Sequence, residues 1–210
     1  MLDALQSEII QRAPEVKFDS ISTIYFGGGT PSILSIQEIE VLLNSISSHY
    51  SLDLNPEITL EANPDDLNRH YLKELNSLGI NRLSIGIQSF HESDLQWMNR
   101  AHTSIQSHHA IQFAIDEGFE NINCDLIFGI PNSSDQIWSN NISQMIQYQI
   151  PHLSCYALTV EEKTKLYSAI RNKQSEAPDD EHTVRQMNIL FQIMSEHGYE
   201  AYEISNYCKP

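Results

Sequence analysis

One phrase recurs three times in this chain: an amphipathic stretch, a glycine, then an apolar run, as Leu78-Gly79-Ile80, Glu117-Gly118-Phe119 and His197-Gly198-Tyr199. Each glycine is placed to end a helix in the left-handed conformation just before a strand begins. The first two lie 39 residues apart and the last two 80 apart, one unit and then two. A unit of about 40 residues, strand plus helix plus loops, is what a wound parallel sheet or a (β/α) barrel needs. At 210 residues the chain can hold one such α/β domain, or most of a larger one.

Periodicity fills in the units. Strands are predicted at 21–26, 57–62, 82–87, 121–128, 152–158 and 200–204. Leu2, Leu5, Ile9 and Ile10 mark one face of a helix that should stop near Pro14. A second helix runs through Ile36, Ile39, Leu42, Leu43 and Ile46, with Ser35 as its cap and Glu38 completing a capping box. Further helices are predicted at 67–78, ending near Glu117, at 136–149 and at 180–197. Residues 161–180 have no clear period and read as an exposed loop or short helix.

The formal net charge of −16, with only 12 Lys and Arg, argues against a duplex nucleic-acid partner and an anionic membrane surface. No apolar run approaches the ~20 residues of a membrane span, and residues 1–14 lack the basic and apolar regions of a signal peptide. A cytoplasmic location is expected. Cys124, Cys155 and Cys208 are far apart and odd in number, which suits a reducing compartment and small buried side chains rather than disulfides.

The loops that leave the strands hold nearly every unusual polar or glycine residue, at 27–31, 61–66, 88–90, 129–132 and 159–162. In parallel α/β folds sites lie at the carboxyl ends of the strands, so chemistry is expected there. Three of the eight glycines stand together in Ile24-Tyr25-Phe26-Gly27-Gly28-Gly29-Thr30-Pro31, where bare backbone can approach a ligand. Neither G-x-G-x-x-G nor a P-loop lysine is present. Glu61 ends the next strand and can attract a cation or accept from ribose hydroxyls. Gln88 is a neutral donor and acceptor at the following strand end, and Arg100 suits a ligand carboxylate in so acidic a chain. Asp125 sits in an otherwise apolar strand and must find partners or face a wet cavity. The nine histidines form no ligand set; His108 and His109 are adjacent on a helix and point apart.

In order along the chain, Gly-Gly-Gly-Thr-Pro at 27–31, Glu-Ala-Asn-Pro at 61–64, Asn-Arg-Leu-Ser-Ile-Gly-Ile-Gln-Ser-Phe at 81–90, Asp-Leu-Ile-Phe-Gly-Ile-Pro at 125–131 and Tyr-Glu-Ile-Ser-Asn-Tyr at 202–207 resemble the HemN/HemW family of radical S-adenosylmethionine proteins. The resemblance covers essentially the whole chain. It implies a partial (β/α)6 TIM-like barrel in which a four-iron four-sulfur cluster and S-adenosylmethionine meet at the carboxyl ends of the strands. By that resemblance Gly28, Gly29 and Thr30 match the loop that receives the methionine moiety. Glu61, Gln88, Arg100, Asp125 and Ala157 match positions lining the cofactor pocket. No catalytic residue is assigned.

Two branches compete, a heme chaperone and an oxygen-independent coproporphyrinogen III oxidase (dehydrogenase), each implying a heme or porphyrin ligand. Residues 152–161 and 202–210 look more like the chaperone branch. The resemblance implies reductive cleavage of the sulfonium in the enzyme branch and heme transfer in the other. Family members hold the cluster with C-x-x-x-C-x-x-C, a spacing that none of the three cysteines here satisfies. A barrel fragment without its first strand, its cluster bound only in the complete protein and a porphyrin-related C-terminal domain lying beyond residue 210, is therefore expected. Strand 21–26 would be an unpaired edge, prone to association. Two other readings remain: a truncated binding module without catalysis, and a barrel hydrolase using Glu61 and Asp125 as an acid/base pair about 5–10 Å apart, which leaves the triple glycine without a role.

Overall fold

The computed structural model describes residues 1–16 and 20–210. They form two compact units, residues 1–85 with 110–121, and residues 86–109 with 122–210.

In the first unit α1 (Leu2–Arg12) ends in a 3-10 turn that contains Pro14 and packs on α2 (Ile36–His49). β1 (Ile21–Phe26), β2 (Leu52–Ala62) and β3 (Arg82–Gln88) are successive parallel neighbours, and β2 is β1's only hydrogen-bonded neighbour among the described residues. The register skips between Ile21↔Leu52 and Thr23↔Glu57, so the start of β2 bulges; this is why the strand begins five residues before the apolar run that predicted it. α3 (Arg69–Ser77) starts where the Asn68 side chain accepts from the Tyr71 N–H, 3.0 Å away. Strand alternation sends Leu60, Leu83 and Ile85 into a core with Ile39, Leu72 and Leu75, all fully buried. The opposite strand face is polar, with Tyr25 level with Thr59, and Glu61 level with Ser84.

The second unit takes in the last residues of β3, α4 (Glu92–Trp97), the start of α5 (Ser104–Asp116), β4 (Asn121–Phe128), α6 (Asp135–Gln147), β5 (His152–Ala157), α7 (Lys165–Arg171), α8 (Asp180–Glu196), β6 (Glu200–Ala201) and β7 (Asn206–Cys208). β4 and β5 are parallel, with Asn123↔His152, Asp125↔Ser154 and Ile127↔Tyr156 sharing one face. Cys124, Leu126, Leu153 and Cys155 point into the apolar layer on the other. Buried Gln186 ties α8 to the loop after β4: it accepts from the Gly129 N–H at 2.8 Å, donates to the Ser133 carbonyl at 3.1 Å, and its own carbonyl accepts from the Trp138 indole at 2.9 Å.

Two predicted elements are corrected. The helix expected to run up to Glu117 is two, α4 and α5, and the strand expected at 200–204 is the antiparallel ribbon β6–β7, with β7 pairing antiparallel to β5. The reversal is local, for the Glu203 carboxylate accepts from the Ser205 N–H at 2.7 Å and closes a turn inside the expected strand. Gly79, Gly118 and Gly198 take φ of 91°, 89° and 71°, the left-handed helix ends that their spacing predicted.

Candidate functional site

The polar strand ends of the first unit converge on the glycine loop. Tyr25 lies one residue before β1 ends, and its hydroxyl donates to Glu61 Oε1 at 2.9 Å, while the Gly28 N–H donates to Glu61 Oε2 at 3.2 Å. Both carboxylate oxygens are thereby aimed, each with lone-pair capacity left for a ligand. Partial burial, and secondarily the bond to Glu61, pushes the Tyr25 phenol up to about 12. A Cβ on Gly27 would stand 2.7 Å from the Tyr25 ring and 3.1 Å from Glu61 Oε1, so any side chain there would dislodge the pair. Gly28, at φ 97°, and Gly29 face open space, with no atom within 4 Å of a would-be Cβ. Beyond Thr30, buried Ser32 stitches this loop to the next, donating to Asp66 at 2.5 Å and accepting from the Asn63 N–H at 3.2 Å.

In the second unit Gln88 closes β3 with φ 65°, a left-handed backbone unusual for a residue with a side chain. A buried network holds the turn. Ser89 donates to Asp94 at 2.8 Å and accepts from Asn141 at 3.0 Å; Ser133 also donates to Asp94, at 3.1 Å; Asn141 accepts from the Phe90 N–H at 2.9 Å. On the other side buried His102 bonds the Ile87 carbonyl through Nε2 at 3.1 Å. Arg100 lines a cavity of about 610 Å³ whose walls include Trp97, Met98, Ile127, Leu158 and, from α7, Lys165. Asp125 is half-buried and accepts from Asn123 Nδ2 at 2.8 Å, and Ala157 is the exposed last residue of β5.

Of the sequence-predicted residues, Gly28, Gly29 and Thr30 follow β1, and Glu61, Gln88 and Ala157 sit at or next to the carboxyl ends of β2, β3 and β5, whereas Asp125 lies inside β4 and Arg100 in the loop after α4. Tyr25, Ser32 and the Ser89–Asp94–Asn141 network were not anticipated, while the short helix allowed at 161–180 is α7. Only Tyr25 carried a usable signal, its place two residues before the triple glycine on the face that also presents Glu61.

Taken unit by unit, the open backbone at Gly28 and Gly29 beside an oriented Glu61 can receive a cationic ligand group, and Arg100 on its apolar-walled cavity can receive an anionic one. An iron–sulfur cluster does not fit the described residues. Burial pushes the Cys124 and Cys155 thiols up, away from the thiolate that a metal needs. Among the described residues no three His, Cys, Asp or Glu side chains gather as a metal site. Nor is any helix among them long and apolar enough to cross a membrane.

The sequence profile of the radical SAM superfamily matches residues 4–140, and the chain belongs to that superfamily. Within it the chain falls with the HemN/HemW group, nearer to HemW. It is 32% identical to the heme chaperone HemW of Lactococcus lactis subsp. lactis, over 100% of this chain and 55% of that protein. To the heme chaperone HemW of Bacillus subtilis it is 35% identical, over 99% of this chain and 55% of the relative. Among solved structures, the radical SAM enzyme coproporphyrinogen III oxidase (HemN) of Escherichia coli superposes with a TM-score of 0.88 at 25% identity, over 100% of this chain and 48% of that one. The fold is that of the radical SAM barrels, and the chain spans about half the length of the relatives it matches.

Proposed function

We propose that Gly28, Gly29, Thr30, Glu61, Gln88, Arg100, Asp125 and Ala157 receive S-adenosylmethionine, and that the whole protein acts as a HemW-like heme chaperone. The observation that carries the reading is the Gly28–Gly29 cradle, open above a Glu61 carboxylate that Tyr25 and the Gly28 N–H orient. The chemistry distributes simply. Glu61 takes the ligand ammonium, Arg100 the carboxylate, and Gln88 and Asp125 the ribose hydroxyls. The acids also suit the positive sulfur. A reducing cluster held by residues outside this set would supply the electron that the sulfonium accepts. The tetrapyrrole end of the reading is supported by the heme chaperones at 32% and 35% identity.

Titration calorimetry of the 210-residue chain with S-adenosylmethionine tests the site. Saturable binding is expected, weakened roughly tenfold or more in Arg100→Ala, the worth of a charge-assisted hydrogen bond. Absence of binding by the wild type overturns it. The likeness to HemN keeps one alternative in view, the coproporphyrinogen III oxidase branch. In the whole protein, heme uptake with no loss of coproporphyrinogen III supports the chaperone, and decarboxylation of coproporphyrinogen III supports the oxidase.

A further inference from the structure

The second unit contains a hydrogen-bonded chain that begins at an exposed tyrosine and ends on the Asp125 carboxylate. Tyr202, in the turn of the β6–β7 ribbon, is 59% exposed, and its hydroxyl lies 2.7 Å from His152 Nε2. His152 Nδ1 lies 2.6 Å from Asn123 Oδ1, and Asn123 Nδ2 donates to Asp125 Oδ1 at 2.8 Å. The direction of every bond can be worked out. Asp125 is an acceptor, so the Asn123 amide must present its NH2 to it and its oxygen to the other side, where the Ser154 hydroxyl also donates, at 3.1 Å. Facing an oxygen, His152 Nδ1 must carry the proton. In the neutral ring Nε2 is then an acceptor, and the Tyr202 hydroxyl donates to it. The turn itself is anchored, because the Cys155 N–H donates to the Ser205 carbonyl at 2.8 Å and β7 pairs with β5 through His152↔Cys208.

We propose that Tyr202, His152 and Asn123 are positioning residues for Asp125: the β6–β7 ribbon fixes the His152 tautomer, the tautomer fixes the Asn123 amide, and the amide aims the carboxylate at the ligand's ribose. The inference rests on the assignment of Asp125 to the S-adenosylmethionine site. It gives a role to the exposed tyrosine of the Tyr-Glu-Ile-Ser-Asn-Tyr motif, whose later residues turn the chain and pair β7 with β5. Hydrogen-bonded partners behind a ligating side chain commonly fix its orientation in this way.

Two measurements on the 210-residue chain test it. Nitrogen-15 NMR of the imidazoles should find His152 protonated at Nδ1 and bare at Nε2, and Tyr202→Phe should erode that preference. Calorimetry with S-adenosylmethionine should find affinity reduced roughly three- to tenfold in Tyr202→Phe, one hydrogen bond's worth. It should be reduced further in Asp125→Ala, with no additional loss on combining the two, since a residue that acts through Asp125 has nothing left to act on. Losses that add fully, an affinity unchanged by Tyr202→Phe, or a His152 protonated at Nε2 would each overturn the proposal. A wild-type chain that binds no S-adenosylmethionine overturns the functional assignment and, with it, the ligand end of this inference; unchanged affinity in Tyr202→Phe overturns the inference alone. Tyr202 is exposed, so its loss of a hydroxyl leaves the fold intact.

Discussion

Gln88 pays for its position with backbone strain. A left-handed φ on a residue with a side chain costs on the order of 1 kcal/mol or more, and such strain persists where surrounding bonds enforce it. Gln88→Gly should therefore raise the unfolding free energy by about 0.5–1 kcal/mol in urea titration while lowering affinity for S-adenosylmethionine. A loss of stability would mean that the amide, not the ligand, justifies the conformation. The strand-end positions of Gly28, Glu61 and Gln88 were legible in the sequence because each can be read from its own strand, one residue at a time. Their supports were not. Tyr25 reaches Glu61 across 36 residues and Asn141 reaches Ser89 across 52, and no local pattern encodes a partner so distant.

Elements with a complete local signal came out as expected. The Ser35–Glu38 box is formed on both sides: the Glu38 N–H reaches Ser35 Oγ at 3.3 Å, and the Ser35 N–H reaches Glu38 Oε2 at 2.8 Å. Ser35→Ala should cost about 1 kcal/mol of stability in thermal or urea unfolding, with the fold retained by circular dichroism. The split between α4 and α5 had a similar signal that the apolar periodicity masked. In Thr103-Ser104-Ile105-Gln106 the Gln106 side chain accepts from the Thr103 N–H at 2.8 Å and Thr103 Oγ1 accepts from the Gln106 N–H at 3.3 Å, a second capping box. Just before it, Asn99 turns left-handed at φ 54° and ends the preceding helix. The β6–β7 ribbon left a weaker trace, since its turn depends on one Glu203 bond inside an otherwise strand-like run.

For the whole molecule, periodicity and glycine spacing were enough to give the α/β class, because parallel strands joined by helices repeat at a length that few other folds share. The division into two compact units was not legible, since its boundary falls inside β3 and α5. Four tyrosines set the alkaline limit. Burial foremost pushes Tyr25, Tyr71, Tyr199 and Tyr207 up to about 12, against an ordinary value near 10. The folded chain thus keeps these protons to higher pH than the unfolded chain. Their contribution to stability is complete below about pH 10 and disappears as pH climbs through about 12. Phenolate absorbance of Tyr71, Tyr199 and Tyr207 should accordingly rise together with cooperative unfolding in that window, whereas Tyr25, 56% exposed, can ionise without it.

The core layer of β4 and β5 has one practical consequence. Cys124 and Cys155 are sealed within it and Cys208 is half-buried on β7, so the native chain offers an alkylating probe a single thiol, in the very ribbon that carries Tyr202. These 210 residues thus carry one labelling address, level with His152 at the start of β5, from which a fluorophore could report on the β6–β7 ribbon without a cysteine being added or removed.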